Sequence, residues 1–93
     1  MIVNFGDTDT ESVWHGFRVK KWASEVQEIG RRKLRMLNNS LNIQDLRIPP
    51  ANRLEKPSGK LKDYYSLSIK DKWCIIFKWQ SGNAYEVKII DYH

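Results

Sequence analysis

Tyr64-Tyr65-Ser66-Leu67-Ser68-Ile69-Lys70-Asp71-Lys72-Trp73-Cys74-Ile75-Ile76-Phe77-Lys78-Trp79, continued beyond Ser81-Gly82-Asn83 by Tyr85-Glu86-Val87-Lys88-Ile89, is the stretch from which the fold is read. Side chains of a strand alternate between two faces, so a half-buried strand shows an apolar residue at every second position. Tyr65, Leu67 and Ile69 form one such row, with Tyr64, Ser66, Ser68 and Lys70 on the opposite parity. Trp73, Ile75, Phe77 and Trp79 form a second row after a turn near Asp71, and Tyr85, Val87 and Ile89 a third. Connections this short join neighbouring strands only in antiparallel order, which predicts a meander. Leu54 is expected to begin a further strand ahead of a Pro57-Ser58-Gly59 turn.

Upstream the period becomes helical. Val19, Trp22, Ala23, Val26, Ile29, Leu34, Met36, Leu37 and Leu41 fall within an arc of about 160°, which predicts an amphipathic helix over 18–40, weakened at Gly30. Lys33 intrudes on that arc, while Lys20, Lys21, Arg31, Arg32 and Arg35 occupy the far side. Pro49-Pro50 bars any helix from passing further. A shorter helix is expected to start at Thr8-Asp9-Thr10-Glu11, whose spacing matches a capping box, and Gly16 ends it. Ile2-Val3-Asn4-Phe5 is a short β-prone run. The order is therefore β-α-α followed by an antiparallel meander, with both helices on one sheet face, an α+β fold. The acidic 1–17 segment is expected to pack lightly and to move independently.

A chain of 93 residues with 41% hydrophobic and 29% charged residues is expected to form one globular domain over 1–93. The net charge of +5 points to a polyanion or an acidic partner protein. The bases concentrate in residues 18–35 and 53–78, while 1–17 holds three acids and no Lys or Arg. One cysteine, Cys74, excludes an internal disulfide framework, and two histidines, His15 and His93, argue against a metal enzyme. No leader or membrane-spanning run is visible, so a cytoplasmic location is expected.

Chemistry concentrates in two places. Strand parity puts Asp91 and His93 on one face at the end of the third strand, with Tyr92 on the other. An acid beside an imidazole orients it and favours its protonated form, which suits proton transfer in RNA cleavage; the plainer reading is a frayed terminus. The loop from Arg53 to Lys62 gathers Arg53, Lys56, Lys60 and Lys62 around Pro57-Ser58-Gly59, and these cations can contact phosphates. Glu55 can act as a base there if desolvated; the plainer reading is a solvated hairpin loop. Tyr64 and Tyr92 are better placed to stack on bases than Trp22, Trp73 and Trp79, which fall on core faces. His15 is read as structural or exposed. No phosphate-binding Gly-rich loop and no Ser-His-Asp arrangement is present.

Taken in order, Asp45-Leu46-Arg47-Ile48-Pro49-Pro50-Ala51-Asn52-Arg53-Leu54-Glu55, Gly59 with Tyr64-Tyr65-Ser66-Leu67-Ser68-Ile69, Trp73 with Ile75 and Phe77, and Ile90-Asp91-Tyr92-His93 make the whole chain resemble HigB-like toxins of the RelE/ParE superfamily. The resemblance implies a RelE-like microbial ribonuclease fold and a type II toxin-antitoxin system. It implies an endoribonuclease that enters the A site of the 70S ribosome and cuts mRNA by 2′-hydroxyl attack, without metal or other cofactor. It also implies a HigA-like helix-turn-helix antitoxin as partner and no membrane association. Carried over by position, His93 would act as general base or acid, Asp91 would orient it, and Tyr92 would position the substrate. The better-known members have His at the position of Glu55, Lys at that of Ser58, and Arg where this chain has Cys74. Phosphate contacts are then expected from Arg53, Lys56 and Lys60. Two other readings compete: a ParE-like DNA gyrase inhibitor without nuclease activity, which would lack the polar terminal trio, and a catalytically silent RNA-binding module.

Overall fold

In the computed structural model, which describes residues 1–91, the three apolar rows become β1 (Tyr65–Lys70), β2 (Trp73–Gln80) and β3 (Asn83–Asp91). They pair antiparallel in the order β1-β2-β3, with Leu67 opposite Ile75 and Ile75 opposite Ile89. Leu67, Ile75, Phe77, Val87 and Ile89 are buried against α1 (Thr8–Trp14) and α2 (Ser24–Asn39). Val13 of α1 and Val26, Leu34 and Leu37 of α2 complete that core, and Leu46, from a 3-10 turn at Ile43–Arg47, closes one end. The architecture is α+β, as the patterning predicts. Among the described residues, no helix is long and apolar enough to cross a membrane.

Four local expectations need correction. The 18–40 helix starts at Ser24, because Gln27 locks the preceding residues into a turn. Its Oε1 accepts from the Val19 amide at 2.8 Å, and its Nε2 donates to the carbonyls of Val19 and Trp22, both at 2.7 Å. Gly30 is less a weak point than a contact: a Cβ there would lie 3.3 Å from Cδ1 of Ile89, so the missing side chain lets α2 approach the sheet. The cap of α1 is Asp7 rather than Thr8, with Oδ1 accepting from the Thr10 amide at 2.7 Å. The third row is Ala84, Val87 and Ile89, without Tyr85. Glu86 has a φ of 52° and the register shifts between Ile76 and Lys78, so a bulge inverts the parity upstream of Val87.

The N-terminal segment does not stand apart. Ile2 and Phe5 bridge in parallel to Ala84 and Val87 along the outer edge of β3. Asn4 holds the bulge, its Oδ1 accepting from the Glu86 amide at 2.6 Å and its carbonyl from the Val87 amide at 3.2 Å. Further along the same edge, the fully buried Thr10 accepts the Ile89 amide on Oγ1 at 2.8 Å. At the opposite edge, the strand expected at Leu54 reduces to one bridge between Glu55 and Ser66.

Thr10→Val keeps the shape but orphans the Ile89 amide, and should destabilise the protein by about 1–3 kcal/mol, while Thr10→Ser should cost less. Urea unfolding checks this. A Val variant as stable as the wild type would show that the hydroxyl does not hold the edge.

Candidate functional site

The sheet face away from the helices carries the small side chains Ser66 and Ser68 of β1 and Cys74 of β2. Their size leaves a recess of about 220 Å³, rimmed by Arg53, Glu55 and Pro57 on one side and Asp71, Lys72 and Trp73 on the other. The Glu55 bridge to Ser66 draws residues 53–57 alongside β1, with amide-to-carbonyl distances of 3.0 and 2.8 Å. Behind it, Asn52 is fully buried and its Nδ2 donates to the carbonyls of Leu46 at 3.2 Å and Ile48 at 3.4 Å. This anchors the chain just before Arg53, which closes a 3-10 turn (Pro50–Asn52) in the left-handed conformation, φ 46°. Asp71, φ 52°, makes the tight reversal between β1 and β2 and sets Lys72 and Trp73 on the opposite rim.

Arg53 Nη2 lies 3.8 Å from Glu55 Oε1, and both side chains are exposed. A loose pair in water contributes little, so the guanidinium remains available to a bound anion. Cys74 forms part of the floor, only 5% exposed. Burial pushes its thiol pKa up, a hydrogen bond with Ser66 offsets part of the rise, and the Glu55 and Asp91 carboxylates add to it. The thiol is therefore neutral near pH 7: it shapes the recess and is not a nucleophile. Asp91 pairs with Trp73 at the end of β3.

Of the residues singled out from the sequence, Arg53 and Glu55 line this recess, while Asp91 ends β3 opposite Trp73 and does not line it. Tyr92 and His93 lie outside the described residues. Lys56 turns elsewhere: its Nζ sits 4.6 Å from the centre of the Tyr65 ring, in a second recess shared with Gln44 and Arg47. Lys60 is exposed on the 3-10 turn Gly59–Leu61 and lines neither recess. Tyr64 donates its hydroxyl to Glu86 at 3.2 Å beneath the Lys78 ammonium, which lies 5.3 Å from the ring centre. Burial first, then that hydrogen bond, raise its phenol pKa. Sequence reasoning missed Ser66, Ser68, Asp71, Lys72 and Trp73. The available signal was two serines alternating on the off-core parity of β1 beside a cysteine on β2, three side chains too small to fill a sheet face.

The model of the HigB-like toxin family, described as the RelE-like toxin of the type II toxin-antitoxin system HigB, matches residues 5–93. An uncharacterized protein of Haemophilus influenzae is 39% identical over 70 residues, covering 75% of this chain and 69% of that protein. Toxin HigB-1 of Vibrio cholerae is 38% identical over 61 residues, covering 66% of this chain and 64% of its own length. The two helices on an antiparallel three-stranded sheet are consistent with RelE-like toxins.

The buried, protonated state of Cys74 should make it slow toward a thiol-reactive disulfide reagent at pH 7.5, by roughly 100-fold against the urea-unfolded chain. Stopped-flow labelling measures this. Equal rates would mean that the thiol is accessible and the floor open.

Proposed function

Because the chain belongs to the HigB-like family of RelE-like type II toxins, we propose that it is a ribosome-dependent endoribonuclease that cuts mRNA in the A site. The observation that supports this reading is Arg53 beside Glu55 on one solvent-open recess, with Asp91 paired to Trp73 of its rim. A guanidinium beside a carboxylate suits a phosphodiester, and His93 is the proposed proton shuttle.

In the proposed reaction the ribose 2′-oxygen forms a bond to the adjacent phosphorus and the bond to the 5′-oxygen breaks. The products are a 2′,3′-cyclic phosphate and a 5′-hydroxyl. The 2′-hydroxyl proton goes to His93 or Glu55, and His93 in its protonated form supplies one to the leaving oxygen. Asp91 orients the imidazole and Tyr92 positions the base. Arg53 carries most of the developing phosphate charge, and Lys56, Lys60 and Tyr64 contact the flanking RNA.

Charge balance bears on the ribosome. Around the recess, Arg53 and Lys72 face Glu55 and Asp71, so formal charges cancel. Such a site has little electrostatic grip on free RNA and depends on another body to hold the strand. The ribosome fills that role in this reading, which also places the protein in the cytoplasm. The family implies an antitoxin partner, and a HigA-like helix-turn-helix protein is the proposed one.

His93→Ala should abolish growth arrest while leaving the melting temperature within about 2 °C of wild type, as expected if the role of His93 is proton transfer. Arg53→Ala should slow cleavage on ribosomes by roughly 10- to 100-fold, the worth of a charged hydrogen bond. Growth assays, calorimetry and primer extension test both. Undiminished toxicity of His93→Ala, joined to defects in DNA supercoiling, would favour a gyrase inhibitor instead.

A further inference from the structure

Lys33 interrupts the apolar arc of α2, and its side chain crosses to β1, where Nζ donates to the Ser68 carbonyl. The proposed cleavage makes no use of it. Burial, and then the charge of Arg32 beside it, lower its pKa. Lys21, Lys70 and Lys78 show the opposite behaviour: hydrogen bonds to Asp9, Glu25 and Glu86 raise theirs and keep them protonated. A desolvated lysine next to a second cation more readily sheds the proton that occupies its lone pair, and so becomes a nucleophile. The hydrogen bond survives that loss. A neutral amine still offers an N–H to the Ser68 carbonyl, which fixes the nitrogen while its lone pair points away from that oxygen.

This amine borders a groove of about 350 Å³, lined by Ile29, Met36, Ala51 and Ile69 together with Arg32 and Lys33. Three chemistries therefore meet in one place. The apolar walls suit a short hydrocarbon chain. The Arg32 guanidinium is exposed and suits a phosphate, which it can grip with two parallel hydrogen bonds. Lys33 supplies a nucleophilic nitrogen beside both. A molecule that joins a hydrocarbon chain to a phosphate through an electrophilic carbon matches all three; an uncharged thioester would leave the guanidinium idle.

We propose that Lys33 is a covalent modification site, acylated on Nζ by a short-chain acyl phosphate whose chain lies in the groove and whose phosphate is held by Arg32. The ammonium first gives one proton to water. The amine nitrogen then forms a bond to the acyl carbon, and the bond from that carbon to the phosphate-bearing oxygen breaks, its electron pair leaving with the oxygen. The second proton passes from nitrogen to the departing phosphate. The products are an amide and inorganic phosphate, and nothing is oxidised or reduced. The amide keeps one N–H for the Ser68 carbonyl, so the β1 edge stays covered while the positive charge is lost. This chemistry stands whether or not the protein is a nuclease.

The test incubates the full chain with acetyl phosphate at pH 8 and follows each lysine by peptide mass spectrometry. Lys33 should be acetylated at least about 10-fold faster than the exposed Lys20 and Lys60. Butyryl phosphate should widen that lead by about 3-fold, and Ala51→Trp, which fills the groove from an exposed position, should remove the gain. Arg32→Gln should slow Lys33 by about 10-fold with acetyl phosphate, but by less than about 3-fold with the uncharged thioester S-acetyl-N-acetylcysteamine. Calorimetric melting of each variant shows that it is folded. Acetylation of Lys33 no faster than that of Lys20 and Lys60 overturns the site. Equal losses with both donors in Arg32→Gln overturn the acyl phosphate as donor, and a lead that ignores chain length overturns the groove as its seat.

Discussion

A three-stranded sheet has two exposed edges, and in a chain this small their backbone groups must be met by something other than more strands. That constraint organises the molecule. Along β3 the N-terminal residues supply two parallel bridges, and Thr10 contributes a hydroxyl where the backbone no longer reaches. Along β1, Glu55 supplies one bridge and Lys33 one ammonium. The first solution is mostly backbone pairing, and its Thr10 hydroxyl is buried. The second is polar, and it lies beside the candidate recess. The same bridge that partly covers β1 brings Arg53 and Glu55 alongside it, so edge protection and site construction are one arrangement.

Much of this was legible from residue order. Alternation over 64–79 gives β1 and β2 directly, and the helical arc gives most of α2, because burial on one face leaves a period that sequence alone records. What escaped depended on contacts distant in the chain. The parity of β3 changes at Glu86, held in the left-handed region by Asn4, and neither residue announces a bulge. The start of α2 is set by Gln27 reaching back to Val19 and Trp22, where local propensity suggested an earlier start. The acidic N-terminus looked lightly packed since its role is to pair with a strand more than eighty residues away.

The site divides in the same manner. The 53–55 stretch and Asp91 could be picked out because charge and position are visible in sequence. Whether Lys56 follows Arg53 into the recess or turns to Tyr65 depends on the direction in which an irregular segment crosses β1, and composition does not carry it. Cys74 stands where the resemblance leads one to expect Arg. A neutral thiol in the floor leaves Arg53 and Lys72 as the recess's own cations, opposed by two carboxylates. Weak intrinsic affinity for RNA and dependence on the ribosome are the physical consequence drawn under the nuclease reading.

The most direct measurement is end-group chemistry on a defined transcript. Purified protein is mixed with 70S ribosomes paused with a known codon in the A site, beside the same transcript without ribosomes. The account predicts one cut within the A-site codon, a 5′-hydroxyl on the downstream fragment, a 2′,3′-cyclic phosphate on the upstream one, and cutting slower by orders of magnitude on free RNA. An intact transcript on fully programmed ribosomes, or fragments bearing 5′-phosphates, would contradict it.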